Sequence, residues 1–413
     1  MDAVKGLFRQ AGWPFGARMG RRAHEGSTAM TLATRLTPRE RFIETLRFGS
    51  PDRIPFHPGG PRRSTLEVWR TQGLPADRHW FDVLCEELGI ERDPPVETIA
   101  PEIDFRMRPT FDEKVVEHRN GHYIVQDWKG NICEISDRFD VTYLRHAIDF
   151  VTRRWIKCPV ETQADWDDMK RRYDVDDAGR FPPDFHERVA RLRERTWPSG
   201  LVFHGPFWQL REWLGAEGLC MLLLDDPEWA LEMIRFWQEF VATLLARAFE
   251  KGYVPDQVLI CEDMAFKEKS FLSAAMCRRF LQPCWRRWTT LCRQAGVPVI
   301  EIDSDGYVGE LIPLWIEAGV NCNSPLEVAA GNDLPAYART YGPSMAWQGG
   351  VDKRKIAAGG GELRAEMQRL APAIRAGGYL PGCDHGVPPD VSWPNFLDYA
   401  RQLAELTGWA FPA

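Results

Sequence analysis

Val299-Ile300-Glu301-Ile302-Asp303-Ser304-Asp305-Gly306-Tyr307 is the stretch around which this chain is organised. Its first half is apolar and mostly β-branched, which reads as a buried strand. Its second half sets carboxylates and a glycine where that strand should end. Alternation with a period of two puts Glu301 and Asp303 on the same side of the strand. Buried carboxylates are expensive unless something pairs with them. The stretch therefore predicts a metal, a cationic group or a polar substrate beside it.

Working outward, short apolar runs alternate with helical segments from residue 201 onward. Runs at 201–205, 257–262, 298–303, 320–323, 345–349 and 379–383 are each followed by a helix, the pattern of a parallel sheet covered by helices. Adding 54–57 and a poorly defined run near 97–104 gives eight strands. The fold class expected is α/β, a closed (β/α)8 TIM barrel, with a doubly wound sheet as the alternative. No GxGxxG follows the first strand and no GxxxxGK[ST] occurs, so neither a dinucleotide nor a P-loop role has support.

Residues near 105–160 break the β/α rhythm. Alternating segments separated by Asn120-Gly121 and Gly130-Asn131 read as a β-hairpin insertion. Residues 1–36 carry five arginines against two acids and several glycines, and are expected to be a disordered tail or the product of an upstream start, with Met30 as the true one. Arg21-Arg22 is followed by no apolar core, so no secretion signal is read there. Order begins at Thr37-Pro38-Arg39-Glu40, with Thr37 as N-cap and Pro38 at the first helical position. One barrel domain is expected over 37–413.

The chain's 413 residues, 44% of them hydrophobic, suffice for a sizeable core. The net charge of −7 argues against a nucleic-acid surface. No apolar run approaches the roughly 20 residues of a membrane helix. Ten scattered cysteines without a CxxC read as reduced thiols of a cytoplasmic protein. The 17 tryptophans read first as packing, and second as the wall of a pocket for a large planar ligand. The oligomeric state stays open, a dimer included.

In a barrel the C-terminal ends of the strands carry the chemistry. Here those ends gather His57, His204, Glu262 with Asp263, then Glu301, Asp303 and Asp305, then Asn323 with Glu327, and lastly Cys383-Asp384-His385. Each has a structural reading too. The histidines serve as backbone hydrogen-bond partners, Glu262 as a helix cap or lysine partner, Asp305 as a turn residue, Glu327 as an arginine partner, and Cys383 as a buried thiol. Glu301 and Asp303 are hardest to explain structurally.

These residues resemble the uroporphyrinogen decarboxylase superfamily over roughly 37–408, and its cobamide-dependent methyltransferases more than the decarboxylases. The resemblance rests on Thr37-Pro38-Arg39-Glu40-Arg41 with Asp52-Arg53-Ile54-Pro55, and on His204-Gly205-Pro206-Phe207. It continues through 301–306, Gly319-Val320-Asn321 with Pro325-Leu326-Glu327, Gly349-Gly350-Val351-Asp352-Lys353, and Gly378-Tyr379-Leu380-Pro381-Gly382-Cys383. The decarboxylases' Met-Arg-Gln-Ala-Gly-Arg loop is replaced by Phe56-His57-Pro58-Gly59-Gly60-Pro61-Arg62-Arg63, which argues against uroporphyrinogen as substrate. The methyltransferases' zinc-binding His-x-Cys is replaced by Glu301-Ile302-Asp303, while Pro381-Gly382-Cys383 is kept.

The resemblance implies a methyltransferase moving a methyl group between a small substrate, such as a methoxylated compound, and a corrinoid, free or on a partner protein. It implies a zinc site of Glu301, Asp303 and Cys383, with His385 or Glu262 as fourth ligand. Carboxylate ligands would make that metal a stronger Lewis acid towards oxygen. Asp305, Glu262 and His204 would move a proton or position substrate, and His57, Arg62, Arg63, Asn323 and Glu327 would bind it. Two further readings are a decarboxylase of a smaller acid, gripped by Arg62 and Arg63, and a non-catalytic barrel that binds a corrinoid or tetrapyrrole.

Overall fold

The computed structural model describes residues 35–90, 101–142, 144 and 153–409. The tail expected over 1–36 lies outside the described residues as far as 34, and the run near 97–104 does so as far as 100.

Four strands form the insertion: β1 (Lys114–Arg119), β2 (His122–Gln126), β3 (Ile132–Ser136) and β4 (Arg154–Lys157). They pair antiparallel in the order β1-β2-β3-β4. The turn between β1 and β2 is Asn120-Gly121, both at positive φ (50° and 73°). That is the two-residue hairpin geometry Asn-Gly favours. Val125, Cys133 and Ile135 give this sheet a small core of its own.

The six remaining strands are β5 (Gly200–His204), β6 (Gln257–Cys261), β7 (Val299–Asp303), β8 (Cys322–Ser324), β9 (Ala346–Val351) and β10 (Tyr379–Cys383). All adjacent pairs are parallel, and their order in the sheet follows their order in the chain. A doubly wound sheet reverses direction at a switch point; this one does not. The described strands form one six-stranded parallel sheet, and closure into a barrel is not seen among them. Beyond β10, the segment carrying His57 runs alongside. Cys383 N donates to Pro58 O (3.3 Å), Val387 N to Gly60 O (2.9 Å), and Pro61 bridges Val387 in parallel.

Register divides the sheet into two faces. One bears Val258, Ile260, Ile300 and Ile302, all fully buried in the main apolar cluster with Trp237, Trp285 and Trp288. The other bears Val299, Cys322, Ala346 and Leu380 near the strand starts. Phe42 and Leu46 of the helix Pro38–Leu46 pack on these, so the first helix stops that end of the polar-bearing face. Thr37 caps this helix in a reciprocal box with Glu40. Among the described residues eight tryptophans are fully buried, as packing residues are. All ten cysteines are free thiols, and among the described residues no helix is long and apolar enough to cross a membrane.

Asp256, just before β6, holds the strand starts together. Its buried carboxylate takes Arg39 Nε (2.8 Å), Arg195 Nε and Nη2 (2.8 and 2.9 Å) and Ser199 N (2.9 Å). Removing one partner of a buried ion pair strands the others. Asp256→Ala is therefore expected to lower the unfolding free energy by about 3–5 kcal/mol, read as the shift in a urea denaturation curve. A change within experimental error would deny Asp256 this role.

Candidate active site

The strand ends meet at one pole. Asp303 O accepts from both Glu262 N (2.9 Å) and Asp263 N (3.2 Å), and Gly205 N donates to Cys261 O (2.7 Å). Beyond β7 the chain turns sharply at Gly306 (φ +80°), where a Cβ would lie 2.5 Å from Ala265 O. Asn332 clamps this turn, donating to Gly306 O (2.8 Å) and accepting from Val308 N (3.1 Å). Asp303 and Asp305 are thereby fixed by backbone geometry on both sides.

Three carboxyls crowd here. Asp263 lies against Arg211, whose two terminal nitrogens each stand 3.1 Å from Oδ2. Burial nonetheless raises the Asp263 pKa, helped by the charge of Asp305. Asp305 accepts from His385 Nε2 at 3.2 Å. Burial would raise it, but His385, Lys353 and Arg62 outweigh burial and hold it below the usual carboxylate range. Asp303 has no such partner among the described residues. Burial and then the charges of Asp305, Asp263 and Glu301 push its pKa well above the ordinary value. Two carboxyls whose environments drive their pKa values apart are distinguished as acid and base by that difference: Asp303 holds its proton to the higher pH and Asp305 ionises first.

His385 is oriented on both sides. Its Nδ1 accepts from Gly386 N (2.7 Å), with Arg62 Nη2 at 3.4 Å, so the ring proton sits on Nε2 and points to Asp305. Burial lowers its pKa, and Asp305 more than restores it. A second proton at Nδ1 would give up the contact with Gly386, while the Asp305 carboxylate favours the doubly protonated ring.

Below Asp303 on the same face, Glu301 is enclosed. Gln348 Nε2 donates to its Oε2 at 2.6 Å, and Gln257 Nε2 donates to the same oxygen. Burial pushes its pKa up to about 7.

The structure does not bring all the expected site residues together. Cys383 does not join Glu301 and Asp303. In β10, Leu380 pairs with Gln348, whose side chain reaches Glu301, so Leu380 and Gly382 take the polar-bearing face. Cys383, one residue on, falls on the other face, within the main apolar cluster and with its thiol pKa raised by burial. Among the described residues no three His, Cys, Asp or Glu side chains are grouped so as to hold a metal ion. The set Glu301, Asp303, Cys383 and His385 therefore does not fit zinc in this structure.

Glu262 is fully buried and caps a helix. Its Oε2 accepts from Phe207 N (2.9 Å) and Trp208 N (3.2 Å), and its Oε1 from Trp285 Nε1. Burial pushes its pKa up to about 8 against these three donors. Gly205 is required beside it, since a Cβ there would lie 2.1 Å from the carboxyl carbon. Asn323 bonds Ile302 O (3.0 Å) and shares its register with Trp347, on the helix-covered face. Arg63 is exposed and pairs with Glu67, away from the pole. Glu327 is engaged by Lys353 (2.8 Å) and lies 3.4 Å from Gly306 N.

His204 and His57 remain near the pole as neutral rings, each with its pKa pushed down to about 4 by burial. His204 Nδ1 lies 3.1 Å from Gln209 Oε1, and His57 O lies 2.7 Å from where a Cβ of Gly382 would be. Two charged groups at the pole, Lys353 and Arg211, carry no role in the sequence-based expectations, and Asp384 appears there only among the strand-end residues. Lys353 follows β9 at the expected pole and was findable there. Arg211 lies inside a helix with no local signal. Asp384, fully buried with its pKa pushed up to about 6 by burial, accepts from Val328 N (2.9 Å) and Lys353 N (3.2 Å).

The Glu301 carboxyl supplies a pH test. Its folded pKa, about 7, exceeds the ordinary 4.5, so its stabilising contribution is whole below about 4.5 and is lost as pH rises towards 7. The loss should approach about 3 kcal/mol. Between pH 5 and 7.5 the parent's unfolding free energy should fall relative to that of Glu301→Gln. Parallel pH profiles for the two proteins would contradict this assignment.

No family model matches the sequence, and no curated protein does. A solved structure, a methyltransferase from Methanosarcina mazei, is similar with a TM-score of 0.49 and 14% identity, over 90% of this chain and 99% of that chain. At that level the likeness assigns neither a family nor an activity.

Proposed function

We propose that this chain is a methyltransferase that moves a methyl group from a small methoxylated compound to a corrinoid, with a carboxylic acid of its own assisting the departing oxygen. The observation that supports this best is Asp303, a carboxyl at the pole with no cationic partner among the described residues, whose hold on a proton is raised by burial and then by three neighbouring acids. An ether oxygen leaves poorly as an anion and well when protonated as it departs, the work of a general acid. A reduced corrinoid, free or brought by a partner protein, supplies the nucleophile that receives the methyl group. The methyl–oxygen bond breaks, the oxygen keeps the bonding pair, and the Asp303 proton goes to that oxygen. Asp305 and His385, ordered by Gly386 and Arg62, then hold the next proton close by.

The order of motifs from Thr37 to Cys383 supports the methyltransferase side of the superfamily. The same reading completes the six-stranded arc as an eight-stranded barrel, with the His57 segment as first strand beside β10, working in a reducing cytoplasm. No step is assigned to zinc, because the ligands expected for it do not converge. The decarboxylase reading is weaker, since Arg63 faces solvent and Arg62 is engaged at His385.

The direct test follows cob(I)alamin and methylcob(III)alamin by visible absorbance with a panel of methyl ethers. Turnover is expected, and Asp303→Asn should lower it about 10²–10⁴-fold with an unchanged circular dichroism spectrum. Turnover equal to the parent's would remove Asp303 from the mechanism. Release of CO2 from an acid, without methyl transfer, would establish the decarboxylase instead.

A further inference from the structure

We infer that the pole selects a neutral or cationic methyl compound and rejects an anionic one; this rests on the methyltransferase reading and names the substrate class of the same site. The grounds are which charges face the pole and what each already holds. The acids there are Asp263 from the end of β6, Asp303 and Asp305 from the end of β7, Glu327 after β8, and Asp384 after β10. The cations are Arg62, Arg211 and Lys353, joined by His385 when its ring is protonated, a state that Asp305 favours.

Every one of those cations is committed. Arg211 places both terminal nitrogens 3.1 Å from Asp263 Oδ2 and lies 4.5 Å over the Trp208 ring. Lys353 bridges Glu327 (2.8 Å) and Asp384 (3.6 Å). Arg62 contacts His385 at 3.4 Å, and its charge helps hold Asp305 ionised. Asp303 and Asp305 stand between these pairs. Five carboxyl groups thus stand against three permanent cations and one histidine, and none of those cations is left over for a substrate anion.

A carboxylate entering this pole would meet Asp305 and have to break an existing ion pair to find a cation. In a partly desolvated site both effects oppose binding. A neutral ether meets neither, and an ammonium group would be drawn to Asp305. The acidity that keeps the Asp303 proton in place thus also screens substrates by charge.

A matched series tests this: 4-methoxybenzyl alcohol, 4-methoxybenzylamine and 4-methoxybenzoate, which differ at one substituent. Dissociation constants would be measured by calorimetry at pH 7 without any corrinoid. The alcohol and amine should bind at least about tenfold more tightly than the benzoate, and the amine's advantage should shrink as salt is raised. Asp263→Asn, which releases Arg211, should tighten benzoate binding; if that variant fails to fold, Asp305→Asn should narrow the same gap. Benzoate binding as tightly as the alcohol, or no binding by any of the three, overturns the inference. Methyl transfer is assayed separately. Charge selection without transfer leaves the inference standing and removes the methyltransferase reading, and transfer from the benzoate in preference does the reverse.

Discussion

Mutual repulsion among Asp263, Asp303 and Asp305 is the constraint that arranges the rest of this site. The two outer carboxyls are answered, Asp263 by Arg211 and Asp305 by His385. The middle one is answered by no cation among the described residues, and burial with the charges of its neighbours raises its hold on a proton. Each answering group is itself held. Arg211 sits on the helix Pro206–Asp225, whose first N–H groups are taken by the buried Glu262. His385 is fixed by Gly386, and Lys353 by Glu327 and Asp384. Burial of Glu262 and Asp384, costly in isolation, therefore serves to aim the charges at the pole.

Parity along a strand explains why the expected metal centre does not form. Glu301 and Asp303 share a face because they are two residues apart, as the sequence alone indicates. Cys383 was matched to them by motif, yet its face depends on the register of β10 against β9, which places Leu380 beside Gln348. One residue of offset turns the thiol to the helical side. Asn323 turns to the helix-covered face for the same reason, and Arg63 lies on the exposed side of its helix.

Much of the fold was legible because its signals are local. Apolar runs bounded by turns marked each of β5 to β10, Thr37-Pro38 marked the first helix, and Asn120-Gly121 marked the hairpin. The acidic pole was legible once strand ends were placed together. Its counter-charges were not. Arg211 lies 52 residues before Asp263, and His385 lies 80 residues after Asp305. Partnerships over such separations depend on sheet order and register, which periodicity does not carry. As a cap, Glu262 is expected at the helix near Ser270 that follows it; it caps instead the helix at Pro206, through Phe207 N, 55 residues away.

The central claim is that Asp303 is a protonated acid at neutral pH beside an ionised Asp305. Infrared spectroscopy of protein labelled with 13C at the aspartate side-chain carboxyls measures this directly. The account predicts an isotope-shifted band of a neutral carboxylic acid at pH 7 that is absent from Asp303→Asn. Only ionised aspartate bands at pH 7, or a neutral-acid band that survives in that variant, would contradict it.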